Sequence, residues 1–447
     1  MRSVVALMPE RMPDFITLSP PGRPFKASPR IAGSKSITNR ALPLAAMAYG
    51  KSTLTGVLFA DDTLRMIEAL QKLGFDLSVD KPGKSISIEG LGSKIPNASA
   101  ELFCGNSGTT LRFLAALCAA GDGHYLLDGV ERMRQRPIGE LVEALRALGA
   151  AADYTGESGY PPVRVGGGIS GGTCRFSASQ SSQYISAILM AAPLARNAVN
   201  MELIGPVTSE PYVRMTLSMM QQFGITCRTL RTADNSAANR VIHIPHGSGY
   251  QARQYAIEPD ASNASYFLAA AAICPGAHVT IHGLGRDSLQ GDVLFADVLR
   301  QMGANMMMES DAIHLSGSRN LTGITVNMNG IPDMVQTLAV VALFAQGPTR
   351  IFNVGNLRVK ETDRLAALEK ELTKLGAAVS TTADSIVIDP PTKPQGARIC
   401  TYDDHRMAMA FAVAGTRIAG VEIENPQCAA KTYPEFFQDF QACIYSP

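Results

Sequence analysis

The chain has 447 residues, 46% hydrophobic and 18% charged. That is enough for large buried cores and, at roughly 100–200 residues per domain, for two or three domains. Forty basic residues against 39 acidic ones leave a net charge of +1, which excludes a global field for nucleic acid or an anionic membrane, so any use of positive charge is local.

From the N-terminus, "VVALM" at 4–8 is too short for the apolar region of a signal peptide. No later apolar run reaches the ~18 residues of a transmembrane helix. The eight cysteines (Cys104, Cys118, Cys174, Cys227, Cys274, Cys400, Cys428 and Cys443) contain no C-x-x-C pair. They read as buried, reduced thiols of a cytoplasmic protein, not as a disulfide framework or zinc site.

"FITLSP" and "RPFKASP" follow as strand-like pieces, and then a pattern sets in. Amphipathic helices closed by glycine recur as "RMIEALQKLGF", "LVEALRALGA", "TLSMMQQFGI", "DVLRQMGA" and "LEKELTKLGA". Their glycines, Gly74, Gly149, Gly224, Gly303 and Gly376, are 75, 75, 79 and 73 residues apart. Strand-like segments follow each, such as "SISIEG", "VRVGG", "RVIHI", "IHLSG" and "SIVIDP". A second helix per period starts near Ser34, Gly105, Ser181, Asp260, Ile331 and Asp403, at spacings of 71, 76, 79, 71 and 72. A fixed period this long predicts one supersecondary unit used six times. The second helices are apolar nearly all round, as interior helices are, yet their first turns are polar or cationic. Several N-termini are therefore expected to converge on one place. The last helix, "PEFFQDF", has no strands after it, and residues 1–33 are expected to supply them. The expected domains are 34–257 and 1–33 plus 258–447, with crossings near 33 and 257–260.

The cations pose the functional question. Lys35 and Arg40, His405 and Arg406, and Lys360 and Arg364 crowd helix starts, where the backbone dipole already favours negative charge. Arg358 stands with the last pair, and Lys360 and Arg364 are like charges at i, i+4. Solvated surface charge accounts for any one site. Three at the same repeat position point to a cleft holding at least two anionic groups. "RMRQRPI" adds Arg132, Arg134 and Arg136, of which two read equally well as a basic loop. "GNSGTT" (105–110) suits close backbone approach to a ligand, or equally a tight turn and cap. "SSQ" (181–183) offers neutral hydrogen-bonding groups, though capping alone accounts for its serines. Asp333, Glu361 and Asp404 sit among the cations as ion-pair partners or as groups able to move protons.

Three motifs are set aside. "YGKST" (49–53) follows a helix instead of opening one, so it is no P-loop. "GGGISGG" (166–172) is a turn between strands. "HIPH" (243–246) and "HVTIH" (278–282) have no carboxylate nearby and read as strand histidines.

Together "GSKSITNRALPLAA", "GNSGTTLR", "RQRPIGELVEALRALGA", "SSQYISAILMAAPLA", "NLRVKETDRL", "DDHRMAMAFAVAG" and "KTYPEFF" closely resemble the 5-enolpyruvylshikimate-3-phosphate synthase family, in order, from about 30 to 440. The resemblance implies an α/β (α+β) fold of two similar domains, each of three βαβαββ units in pseudo-three-fold array (an inside-out α/β barrel), with helix N-termini facing an interdomain cleft. It implies transfer of the enolpyruvyl group of phosphoenolpyruvate to the 5-hydroxyl of shikimate 3-phosphate, with no metal or organic cofactor, by a monomer. Carried over by motif, Lys35, Ser36, Arg40, Ser181, Ser182, Gln183, Ser209, Asn356 and Lys360 meet shikimate 3-phosphate, with Tyr212 beside them. Lys35, Gly108, Arg136, Gln183, Arg364, Arg406 and Lys431 meet phosphoenolpyruvate. Asp333 is then the base for the attacking hydroxyl, Glu361 handles the carbon-bound proton, and Lys431 assists the departing phosphate.

Phe113 stands where many relatives have proline, Ser107 where alanine is common, and Glu210 where some have lysine. Gly108 is the small residue of herbicide-sensitive relatives, so competition by glyphosate is expected. The sister transferase acting on UDP-N-acetylglucosamine carries a cysteine five residues before the arginine of its "RP" motif. Here that residue is Glu131. A non-catalytic anion-binding descendant would have lost the acid–base set, which is present. A kinase using "YGKST" would show nucleotide-dependent melting.

Overall fold

The computed structural model describes residues 13–177, 181–231, 239–247 and 249–445. The "VVALM" segment and the start of the expected 1–33 piece lie outside them. Its α-helices, in chain order, are α1 Lys35–Ala46, α2 Asp61–Lys72, α3 Gly108–Ala120, α4 Gly139–Ala147, α5 Ser182–Ala191 and α6 Glu210–Gln222. They continue as α7 Ala261–Ile273, α8 Phe295–Gln301, α9 Val335–Ala342, α10 Arg364–Lys374, α11 His405–Ala414 and α12 Phe436–Tyr445.

Odd-numbered helices are interior. Every residue of α7 and α11 is buried, and α3 buries all but Thr109. Alanine-rich faces let α7, α9 and α11 pack on one another, and α3 against α1 and α5. Even-numbered helices α2, α4, α6, α8 and α10 bury one stripe and end alike. Gly74, Gly149, Gly224, Gly303 and Gly376 all have positive φ, between 87° and 103°. The residue after each donates its amide back to the last turn, as Phe75 does to Leu70 O and Ala377 to Leu372 O. Only glycine takes that left-handed conformation without a steric cost, which is why the period is visible in glycines.

Each period also forms a small sheet of one topology. In the second, Ser99–Phe103 runs parallel to His124–Asp128, which pairs antiparallel with Val163–Gly166, itself antiparallel to Ala151–Tyr154. Four further four- or five-stranded sheets repeat this order. The sixth is completed from the N-terminal segment, since Phe15–Leu18 pairs antiparallel with Val421–Glu424, with Ile16 opposite Ile423. Lys26–Ala27 gives the α7 unit its parallel edge on His278–His282, and Gln254–Ala256 does the same for the first unit on Ala48–Thr55.

Two hydrophobic cores result. One draws on residues from Ile37 to Ile257. The other combines Leu18, Phe25 and Ile31 with residues from Ala261 to Ile444. The chain passes between them twice, and the two passages are hydrogen-bonded side by side: Ser34 N donates to Glu258 O and Asp260 N to Ala32 O, each at 2.8 Å. Gly33 is required there, because a Cβ would stand 1.8 Å from Gly56 O. Beyond these passages α12 seals the second core, with the Phe436 ring 5.5 Å from Tyr266 and 5.2 Å from Phe440.

One local expectation is corrected. Lys360 and Arg364 are not an i, i+4 pair on one helix. Gly355–Val359 is a 3-10 turn, Lys360 is extended, and α10 begins at Arg364 behind the N-cap Asp363. Asp363 accepts from Ala366 N and from Arg358, so this short side chain stops the helix from reaching back. Arg358 is thereby spent on structure. All eight cysteines are unpaired, though Cys227, Cys400 and Cys443 are only half-buried. "YGKST" lies in the strand Ala48–Thr55, and "HIPH" and "HVTIH" begin in or form strands. No helix among the described residues is long and apolar enough to cross a membrane.

Candidate active site

Five interior helix starts meet between the two cores. Ser34 caps α1, Ser107 caps α3, Ser181 caps α5 and Asp404 caps α11, each accepting an amide of the following turn. The fifth start is the 3-10 turn Pro332–Met334 that leads into α9. The sixth, at α7, serves from behind: Asp260 caps it and also accepts Lys35 N at 2.9 Å. Capping thus engages the Ser181 hydroxyl without removing that residue from the cleft, and Ser182 lines the cleft without capping.

Two adjoining pockets open there. Lys35, Ser36, Arg40, Thr109, Ser181, Ser182, Gln183, Ser209, Tyr212, Pro332, Asp333, Asn356 and Lys360 line the first. Lys35, Asp62, Gly108, Thr109, Arg136, Gln183, Asp333, Lys360, Glu361, Arg364, His405 and Arg406 line the second. Lys35, Thr109, Gln183, Asp333 and Lys360 belong to both. Every residue expected to meet the first substrate lines the first pocket. Those expected to meet the second line the other, except Lys431, which stands behind Glu361 with its Nζ 3.0 Å from Oε1.

The charges interlock. Arg364, 1% exposed, forks onto buried Asp404 through Nε at 2.7 Å and Nη2 at 3.2 Å, and also touches Glu361 at 3.0 Å and Asp333 at 3.2 Å. Arg406 holds the other Asp333 oxygen at 2.9 Å, and Lys360 approaches the one Arg364 holds, at 3.8 Å. Glu361 has Lys431 at 3.0 Å and Arg136 at 3.9 Å. Burial pushes the Asp333 carboxyl up, but Arg406, Lys360, Arg364 and Lys35 together pull it far below the usual carboxylate range. Glu361 is likewise raised by burial and lowered further by Lys431, Arg364 and Arg136. Even so, five lysines and arginines face three carboxylates around the second pocket. Among the described residues, buried Arg136 Nε has no hydrogen-bond partner. Such a site is short of anions.

His405 corrects the reading of its motif as two cations. Burial, then Lys35 and Arg406, hold its imidazole well below the usual histidine range, so it is neutral. Arg134 is an exposed partner of Asp128, as a basic loop would have it. Arg132 is not idle: it donates to Glu361 O at 3.0 Å and Lys360 O at 2.8 Å from across the cleft. Its sequence signal was no different from that of Arg134. Asp62 was also missed, because an acid in a helix's first turn looks like ordinary dipole matching. It sits 3.2 Å from Lys35 and 4.0 Å from Lys431. Thr109 and Arg112 lay within quoted motifs without a role; Arg112 holds Gln183 Oε1 at 2.5 Å.

The family described as EPSP synthase (3-phosphoshikimate 1-carboxyvinyltransferase) matches residues 20–440. The chain belongs to the EPSP synthase family. A 3-phosphoshikimate 1-carboxyvinyltransferase of Trichormus variabilis is 44% identical over 96% of this chain and 98% of its own length. One of Vibrio cholerae serotype O1 is 45% identical over 92% and 95%. The solved EPSP synthase of Acinetobacter baumannii superposes with a TM-score of 0.78 at 29% identity, over 96% of this chain and 98% of that one. The enolpyruvyl transferase NikO from Streptomyces tendae, at 16% identity and TM-score 0.74 over 96% and 97%, shares the fold.

The departures from family pattern have local places. Ser107 caps α3, Glu210 opens α6 and pairs with Arg240 at 2.9 Å, and Phe113 lies 5.0 Å beneath the Arg40 guanidinium. Glu131, where the sister transferase has its cysteine, is exposed.

Proposed function

We propose that the first pocket takes shikimate 3-phosphate and the second phosphoenolpyruvate, and that Asp333, on their shared wall, carries the chemistry between them. The protein is a transferase of the shikimate pathway. It moves the enolpyruvyl group of phosphoenolpyruvate to the 5-hydroxyl of shikimate 3-phosphate and releases phosphate. The observation that carries the site assignment is the shared wall: Lys35, Gln183, Asp333 and Lys360 face both pockets at once. Serines, Asn356 and Tyr212 suit a polyhydroxylated ring with one phosphate. Arg136, Arg364 and Arg406 suit a small trianion, since a planar guanidinium can bind carboxylate or phosphate in bidentate fashion.

In the reaction, the 5-hydroxyl oxygen bonds to the substituted carbon of phosphoenolpyruvate while the methylene carbon takes a proton from Glu361. Asp333 accepts the hydroxyl proton. The resulting tetrahedral phosphate ketal then loses a methyl proton to Glu361 as the carbon–oxygen bond to phosphate breaks, with Lys431 compensating the departing charge. Asp333 and Glu361 are poor proton acceptors while the cations crowd them. Arriving substrate anions share those cations, which raises the proton affinity of both carboxylates: Glu361 takes up from solvent the proton it then donates, and Asp333 becomes able to accept the hydroxyl proton. Gly108 lets phosphoenolpyruvate, and by the same reading glyphosate, lie against Arg136.

The reading extends to two domains, 34–257 and 1–33 plus 258–447, hinged where the paired passages cross, and to a cytoplasmic monomer, which sedimentation would test. The presence of Asp333, Glu361 and Lys431 in one site weighs against a non-catalytic descendant. Phosphate release by the purified protein is the test. Release needing both substrates, and collapsing in Asp333→Ala, supports the assignment. Release from phosphoenolpyruvate with UDP-N-acetylglucosamine instead would replace it.

A further inference from the structure

Asp292 is a buried carboxylate without a task in the chemistry above. It lies in the 3-10 turn Gly291–Leu294 ahead of α8 and is 4% exposed. Its Oδ2 accepts the Tyr212 hydroxyl at 2.9 Å and also Ser262 Oγ. Its Oδ1 has no partner among the described residues. Tyr212 belongs to α6, on the far side of the cleft, and lines the first pocket. The Tyr212–Asp292 bond is therefore made between the two halves of the molecule.

Packing gives no reason for a carboxylate here. The neighbours Val293 and Phe295 belong to an apolar core, and a buried acid costs stability unless it is well partnered. Other charged groups face it from elsewhere. Arg406 of α11 reaches Ser262 Oγ at 3.4 Å, and Asp333 stands beyond, held by that same arginine. Burial and Asp333 push the Asp292 carboxyl up to about 6, against the pull of Ser262, Arg406 and Tyr212. At neutral pH it is mainly ionised and can only accept. The Tyr212 hydrogen is thus committed to Asp292, so the phenolic oxygen can offer a ligand only its lone pairs.

We propose that Asp292 is a positioning residue that reaches across the cleft to fix Tyr212 as a hydrogen-bond acceptor for a hydroxyl of shikimate 3-phosphate. This rests on the reading of the first pocket as the shikimate 3-phosphate site. The assignment separates Tyr212 from the cations around it: they select for the anionic groups, and Tyr212 selects for an alcohol.

The experiment is shikimate 3-phosphate binding by calorimetry, with steady-state kinetics, for the wild type, Asp292→Leu, Tyr212→Phe and the double variant. Each single change is expected to weaken shikimate 3-phosphate binding and raise its KM about ten-fold. The kcat should stay within about two-fold, because the lost contact is made equally in ground and transition states. The double variant should be no worse than the weaker single one, since both changes remove the same bond. Additive losses overturn the proposal. So does unchanged affinity for shikimate 3-phosphate in Tyr212→Phe, which removes the bond from the pocket side and needs no change in the core. A fall in melting temperature and kcat without loss of affinity in Asp292→Leu also overturns it, by making the carboxylate purely structural. Failure of the wild type to bind shikimate 3-phosphate would instead overturn the reading of the pocket.

Discussion

Asp404 is the residue on which the site's geometry most depends. It is fully buried, forks onto the Arg364 guanidinium and accepts the backbone amide of Arg406 at 2.9 Å, so one side chain orients Arg364 and fixes the start of the helix that carries Arg406. Removing one partner of a buried pair leaves an uncompensated charge, so Asp404→Ala should cost about 3–5 kcal/mol in denaturant unfolding. Gly108 makes a sharper functional prediction. A Cβ there would stand 2.8 Å from Arg136 Nη2 and 2.9 Å from Arg112 Nη1. Gly108→Ala should therefore push the Arg136 fork aside, raising the KM for phosphoenolpyruvate by about ten-fold while leaving shikimate 3-phosphate nearly unaffected. Inhibition by glyphosate should weaken in parallel; equal inhibition of both proteins would contradict this. Acid stability follows from Glu361, whose carboxyl is held low in the folded chain. Its stabilising contribution is full above the ordinary carboxylate pKa of ~4.3. It is lost as pH falls from there through the depressed folded value. The stability difference between wild type and Glu361→Gln should accordingly be flat from about pH 5 to 7 and shrink below ~4.

Among the elements, the glycine-closed helices offer the cleanest test. Gly376 has φ +98° and its nearest neighbour, Pro391 Cβ, is 3.4 Å from a built Cβ. Gly376→Ala is therefore a conformational penalty more than a steric one, about 1–2 kcal/mol of stability, with unchanged KM for both substrates. These helices were legible because apolar spacing and a left-handed glycine are both local requirements, repeated five times. The start of α10 was not. Asp363 halts the helix by folding its own carboxylate back on Ala366 N, and nothing in a run of charged residues distinguishes a cap from a first-turn acid. The cations at helix starts were visible as an anomaly, and Asp333, Glu361 and Asp404 beside them as candidate partners, but not which cation each would meet. Asp62 and Arg132 reach the site from other repeats, and composition cannot report that distance. The resemblance carried individual site residues further than periodicity did, since pocket membership is a tertiary fact.

At the scale of the whole molecule, function lies in what one core presents to the other. Arg132 grips the successive backbone carbonyls of Lys360 and Glu361, Lys431 Nζ donates to Asn106 O at 2.9 Å, and Ser209 N donates to Asn329 O at 3.0 Å. Arg132→Ala removes two of these bonds without touching a pocket side chain. It should raise the KM for both substrates roughly three- to ten-fold, and small-angle scattering of the saturated variant should show a larger radius than the saturated wild type. The central claim is that Glu361 protonates the methylene carbon and later takes a proton back from the methyl group it made. Running the reaction in heavy water and weighing the product tests that directly. The account predicts deuterium in the enolpyruvyl methylene of the wild-type product, and a collapse of both turnover and exchange in Glu361→Gln. Product formed at full rate with no solvent deuterium would mean that no methyl intermediate exists, and would contradict it.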